Sequence, residues 1–363
     1  MLLRGNFRIL LFYDVAESFD TVKLRELLGS RARPVQRAFP RRTPEYVSFE
    51  HPPVVELVGP ITLKTGEQID CSIKYYAYGV AVARFGLPFE CDWDGLLTLA
   101  ARWTNTADLE SCARDVVREH LGQVAPAVVR PSEDWLQEEY FVIDLQEAQA
   151  AAGKTLAAAE LLELHGGQIV QLIRGEMSPL ARRTSEEALQ ASASYYPSDL
   201  VVVGSSAALV YDRPEDAVAT IQILEYARTQ LLEFRYYDNL MTRVLAAFYG
   251  ALDQKRGIRL WSRGLPRDAT HLNTIRLDVM EFTERIDNAI KFVSDIFYAR
   301  VYRLAAGRMG VPDYRALVEQ KLRTAGELYQ FMVDQFNESR TFILEVAIAI
   351  ACLLDVLLLF RGK

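Results

Sequence analysis

A chain of 363 residues, half of them hydrophobic and a quarter charged, holds enough apolar content for one large domain or two smaller ones. Its net charge of −7 argues against a general nucleic-acid binder. Four scattered cysteines, Cys71, Cys91, Cys112 and Cys352, form no Cys-x-x-Cys pair, which argues against a disulfide framework or a zinc site and suits reduced thiols facing a cytosol.

The first apolar run, Ile9 to Tyr13, is too short for a signal-peptide core and reads as part of a buried strand over Phe7–Tyr13. Asp20 is placed to cap a helix that runs to Leu28 and stops at Gly29. Between Val54 and Phe85 the Val, Ile, Thr and Tyr content with glycine breaks predicts two or three strands. Helices near Trp93–Trp103 and Ser111–Leu121 follow, then a strand at Tyr140–Leu145. Thr184 and Glu187 have capping-box spacing for a helix through Ala193. Asp199–Val203 and Ala207–Tyr211, split by Gly204-Ser205-Ser206, form a predicted hairpin. Residues 1–212 are therefore expected to be an α+β domain.

Beyond Asp212 the pattern turns helical. Pro214 suits a first helical turn, and residues 215–254 read as one long helix. Apolar positions from Ile275 through Phe282, Ile290 and Phe297 to Leu304 repeat every eleven residues, which favours nearly straight helix pairing. After Gly310-Val311-Pro312, Val318, Leu322, Ala325, Tyr329, Met332, Phe336 and Ile343 form a heptad seam. The expectation for 213–340 is a pair of long antiparallel helices, a coiled-coil hairpin, feeding into the tail.

No catalytic motif stands out. Gly153-Lys154-Thr155 lacks the first glycine of a phosphate loop, since Ala148 holds that place. His51, His120, His165 and His271 have no second ligand at metal spacing, so solvated or capping roles are expected. Glu225, Glu233 and Arg235 through Asp238 lie on the long helix, where ordinary ion pairs and core tyrosines are the default. Arg31, Arg33, Arg37, Arg41 and Arg42 make a basic loop that could meet phosphates of RNA or lipid. A second basic cluster, Lys255, Arg256, Arg259, Arg263 and Arg267, surrounds Trp261 between two long helices.

Phe342 to Phe360 is apolar except for Glu345 and Asp355, and thirteen of these nineteen residues are Leu, Ile, Val or Phe. Their insertion into a bilayer is worth about 4–8 kcal/mol, against up to about 3 kcal/mol for each central carboxylate. The length fits a hydrocarbon core of about 30 Å, so residues 341–361 read as a C-terminal transmembrane helix. Glu345, Ala349, Cys352 and Asp355 fall on one stripe of small and acidic residues suited to helix–helix contact. The basic cluster around Trp261 would then lie near anionic headgroups and hold the body on the cytoplasmic side.

The segment "LVEQKLRTAGELYQFMVDQFNESRTFILEVAIAIACLLDVLL", with its Leu344-Glu345 pair and a second acid at Asp355, resembles the C-terminal signature of the required-for-meiotic-nuclear-division family. The stretch Tyr76–Val82 is similar to that family's N-terminal strand motif; Val346 replaces its usual Trp. The resemblance implies a membrane-associated homo-oligomer with no established catalytic activity, whose mitochondrial members support organellar translation. The combined expectation is a tail-anchored, homo-oligomeric scaffold at the cytoplasmic membrane, single-pass with its C-terminus outside, not an enzyme, and without cofactor or metal. Its expected partners are itself and anionic lipid. The alternatives are a nucleic-acid or ribosome-associated protein with a buried C-terminal helix, and an enzyme with an unrecognised site in the α+β half.

Overall fold

In the computed structural model, strand β1 (Leu2–Asp14) is the spine of a nine-stranded sheet among the described residues. Those residues are 1–33, 52–104, 107–150, 154–253, 265–291 and 296–361; side chains at 251–253, 265–269, 271, 285–291, 335–336, 338–340, 343 and 353–361 are not described. The other strands are β3 (Ala32–Arg33), β4 (Val54–Thr62), β5 (Gln68–Tyr75), β6 (Val80–Cys91), β8 (Gln137–Gln149), β9 (Ser192–Ala193), β10 (Leu200–Val203) and β11 (Ala207–Tyr211). Their spatial order is β3-β4-β5-β6-β1-β8-β11-β10-β9. All neighbours are antiparallel except β8 and β11, which run parallel with Ile143 opposite Leu209. That single parallel pair needs a long crossover, supplied by the helical stretch between residues 158 and 189. A separate small ribbon pairs β2 (Ala16–Phe19) with β7 (Val128–Pro131).

Residues Ile9 to Tyr13 are all buried, not alternately so, because both faces of β1 are covered. Odd-numbered side chains such as Phe7, Ile9, Leu11, Ile73, Tyr75, Phe85 and Ile143 build the main apolar core. It is closed by α1 (Thr21–Leu28), α2 (Trp93–Trp103), α3 (Ala107–Gln123) and α4 (Ala158–Arg174). Local signals set their ends. Asp20 accepts from the amides of Val22 and Lys23 to start α1, and Asp92 accepts from Gly95 N to start α2. Gly175, at a left-handed φ of 68°, ends α4. Helix α5 (Arg182–Leu189) starts two residues before Thr184, after Ala181, so the expected capping box does not form there.

Helix α6 (Pro214–Asp253) covers the opposite face of the sheet, with α8 (Ile296–Met309) beside β9 and β10. The first is buried almost all round through Phe234, which explains why its sequence lacks a sharp amphipathic period. Helix α7 (Leu265–Lys291) and helix α9 (Val311–Arg361) complete the chain. The stretch whose apolar pattern runs from Ile275 to Leu304 is described as α7 and α8, with 292–295 outside the described residues.

The chain divides into two compact units. Unit 1 comprises Met1–Tyr236 and Ile286–Asp313, a sheet with helices on both faces. Unit 2 comprises Tyr237–Arg285 and Tyr314–Lys363 and is helical. Its core uses Met241 and Phe248 of α6, Leu272, Ile275, Val279 and Phe282 of α7, and Val318, Ala325 and Met332 of α9. Tyr237 meets the Phe282 ring at 6.1 Å, and Lys321 pairs with Asp238.

The transmembrane expectation is corrected. Among the described residues no helix is long and apolar enough to cross a membrane. The tail is not a separate span but the continuation of a 51-residue helix whose preceding turns are polar. The tail anchor, the single-pass placement and the outside C-terminus fall with it.

Candidate functional site

The side of the sheet facing α6 carries charge as well as apolar side chains. Strand alternation puts Asp14, Lys74, Arg84 and Glu138 on this face, beside apolar Leu10, Phe12 and Val142. Helix α6 answers with Glu225, Arg228, Thr229, Gln230 and Glu233, which lie on neighbouring turns. Lys74 Nζ sits 2.8 Å from Glu225 Oε2, and both side chains are buried. Arg84 Nε stands 3.8 Å from the other Glu225 oxygen. Burial lowers the Lys74 pKa and the Glu225 carboxylate opposes that shift.

A second node lies farther along the helix. Arg228 donates to Glu138 Oε2 at 2.6 Å and to the Ser205 carbonyl at 3.0 Å, with its guanidinium over the Tyr140 ring. Arg235 also pairs with Glu138. Between the two nodes, Tyr78 and Thr229 share a 2.7 Å hydrogen bond, and Tyr302 of α8 donates to Gln230. Tyr78 reaches the helix because the turn after β5 is held at Gly79, whose φ is 92°. A Cβ there would come within 1.7 Å of the Ala16 carbonyl oxygen.

Asp14 and Glu233 complete this layer, and neither pairs with a basic side chain among the described residues. Burial pushes the Asp14 carboxyl up to about 7, and burial together with the nearby Asp14 raises Glu233 well above the usual carboxylate range. The sequence leads to an expectation of ordinary ion pairs for Glu225 and Glu233; Glu225 makes them with Lys74 and Arg84, and Glu233 makes none among the described residues. The partners of Glu225 on β5 and β6, and that of Arg228 on β8, lie 90 or more residues away, so no local spacing could have revealed them.

A third buried node sits on the other face. Glu56 accepts from Tyr75 Oη at 2.8 Å and lies 2.9 Å from His120 Nδ1 and 2.8 Å from Arg31 Nη1. A proton on Nδ1 directed at the carboxylate leaves Nε2 as the basic nitrogen. His120 is therefore a pinned structural histidine and not a solvated one, and Arg31 of the expected anion-binding loop is committed to Glu56 and Gln123. Arg33 is exposed on β3, while Arg37, Arg41 and Arg42 lie outside the described residues. His165 stacks on Trp93 at 5.1 Å. Among the described residues no group of three or more His, Cys, Asp or Glu is placed to hold a metal ion.

In unit 2, every described side chain from Thr341 to Cys352 of α9 is exposed. Glu345, Ala349 and Cys352 of the expected stripe are among them, and the Asp355 side chain is outside the described set. Phe342, Leu344, Val346, Ile348 and Ile350 are each 41–67% exposed and spread around the helix. Lys255, Arg256, Arg259, Trp261 and Arg263 lie outside the described residues, as does the Arg267 side chain.

Comparison with known proteins places the sheet-bearing part of this chain. The family described as "Uncharacterized protein MJ0711, N-terminal domain" matches residues 4–217, more than half of the chain. The "Uncharacterized protein MJ0711" of Methanocaldococcus jannaschii is 22% identical over 190 residues, 52% of this chain. The match spans 58% of that relative's length. No solved structure matches. With its sheet, the helices on the core face and the start of α6 inside the matched region, the chain belongs to the MJ0711 N-terminal domain family.

Proposed function

We propose that this protein is a self-associating scaffold, in which copies join through the distal part of α9 and display the sheet-bearing unit. The observation that carries this reading is the exposed apolar end of that helix. A helix that is apolar all round is ordinarily buried, and here five large apolar side chains are 41–67% exposed. Their combined exposed area is on the order of 500 Å², in the upper part of the roughly 300–600 Å² range of the largest apolar patch on a typical monomer, a size often functional. At about 25 cal/mol per Å², covering it is worth about 10 kcal/mol per copy, comparable to an association cost of about 4–15 kcal/mol. The resemblance of this helix to the required-for-meiotic-nuclear-division signature, with its implied homo-oligomer, supports the same reading.

A second copy of this helix fits the exposed stretch because the heptad seam of Val318, Ala325 and Met332 runs on towards it. Small residues Ala347, Ala349 and Ala351 alternate with the large ones and admit a closely approaching helix. The scaffold reading assigns the buried charge nodes to holding α6 in place.

Light scattering of the full chain across 1–100 µM, an interval set at about the affinities of ordinary homo-oligomers, tests the reading. The expected result is a mass above one chain that drops to one chain in the Leu344→Glu, Ile348→Glu double variant. A full chain that stays monomeric at the highest concentration refutes it.

A further inference from the structure

The Asp14 and Glu233 carboxyls differ from the other buried charges described in unit 1, including Asp199, which has no cation but accepts from the amides of Tyr195 and Tyr196. Lys74 and Arg84 are committed to Glu225; Arg228 and Arg235 converge on Glu138. Arg8 is bonded to Asp144 at 2.6 Å. Asp14, at the end of β1, is 5% exposed, and Glu233, on the last turns of α6 within unit 1, is 6% exposed. Among the described residues neither has a cation within ion-pair distance, and Glu233 Oε1 has no hydrogen-bond partner. Two buried carboxylates without a counter-ion cannot both be charged; the least costly remedy is a retained proton.

We infer that Asp14 and Glu233 form a proton-held latch between strand β1 and helix α6, closed while the pair keeps its protons and loosened as they leave. The inference is independent of self-association through α9. Both carboxyls titrate upward, Asp14 to about 7 by burial and Glu233 well above the usual carboxylate range through burial and the nearby Asp14. Other ionisable groups on the layer do not supply the missing charge. Tyr78 from the β5–β6 turn and Tyr76 beside it are raised well above their ordinary range, first by burial. Tyr226 on α6 is pushed up to about 12 and stays neutral, as does Tyr140 of β8, raised further. Tyr302 of α8 faces Gln230, and Glu139, next to Glu138 on β8, is itself raised by burial.

The sign follows from proton counts. Both folded-state pKa values lie above the unfolded ones, so unseating α6 releases protons between about pH 4 and 7. Stability of the seat is therefore full at low pH and is lost as pH rises, through about 7 for Asp14 and through the raised pKa of Glu233. Each proton released makes opening about tenfold more favourable per pH unit.

Hydrogen exchange of the full chain, read on α6 amides 220–236 and corrected for the intrinsic pH dependence of exchange, tests the latch. The expected protection falls at least about tenfold between about pH 5.5 and 7 in the wild type. Asp14→Asn and Glu233→Gln, each shaped like the protonated form, should flatten that fall by about one proton's worth. A wild-type protection independent of pH overturns the inference. So does an unchanged slope in both folded variants. Failure of both variants to fold overturns it as well, because a neutral isostere should fit a site that holds protonated acids.

Discussion

Replacing Lys74 by Met removes the cation that neutralises Glu225 in the layer between β5 and α6. Two unit charges at their 2.8 Å separation attract by about 6 kcal/mol at an effective dielectric of about 20, and the 3.8 Å Arg84 contact adds about 4. Desolvation of the three groups offsets most of that gain. The net worth of the intact node is small, but the cost of breaking it is not. In Lys74→Met, Glu225 remains buried with only Arg84, so unit 1 is expected to lose about 3–5 kcal/mol. Adding Glu225→Met should recover most of the loss, to within about 1–2 kcal/mol of wild type, because Arg84 is partly exposed and can turn to water. Urea unfolding of the full chain followed by tryptophan fluorescence measures this, since Trp93, Trp103 and Trp135 all lie in unit 1. A Lys74→Met cost below about 1 kcal/mol, or a double variant as unstable as the single one, would refute the reasoning.

Gly79→Ala is expected to lower stability by about 2 kcal/mol or more, since it strains a φ of 92° and drives a methyl into the Ala16 carbonyl; a thermal melt reads it. Glu56→Leu removes the shared acceptor of Tyr75, His120 and Arg31, at an expected cost of about 2–4 kcal/mol in a urea titration. In the wild type, nitrogen NMR should find the His120 proton on Nδ1 whenever the ring is neutral. If copies join through α9, Glu345→Leu should broaden the distribution of oligomer masses in native mass spectrometry, because a buried polar group that fixes the pairing register is lost.

Elements with local causes were legible in the sequence. Asp20 and Gly29 bound α1, Trp93–Trp103 emerged with both ends right, and the Gly204-Ser205-Ser206 turn separated β10 from β11. Helix α6 was legible from its length and its proline-free run, although two environments along it blur its period. The charge nodes were not legible. Lys74 meets Glu225 across 151 residues of sequence, and only the sheet order brings them together. His120 failed for the same reason: its partner Glu56 is 64 residues away on β4. The tail misled for another reason. Hydropathy counts residues along the chain, whereas among the described residues no helix is long and apolar enough to cross a membrane.

The discontinuity of unit 1 bears on how the protein is made. Its chain leaves at Tyr236, builds part of another unit, and returns only at Ile286–Asp313. Tyr302, which donates to Gln230, and Val301, which is fully buried, therefore emerge long after the sheet they complete. At about 5–20 residues per second, the wait from residue 236 to residue 313 lasts about 4–15 s. During that interval the nascent sheet can form its main core with α1 to α4, but the flank of α6 that receives α8 stays open. A stalled ribosome carrying a chain that ends before Ile296 would thus display Gln230 and its apolar neighbours to chaperones, and release past Asp313 would withdraw them.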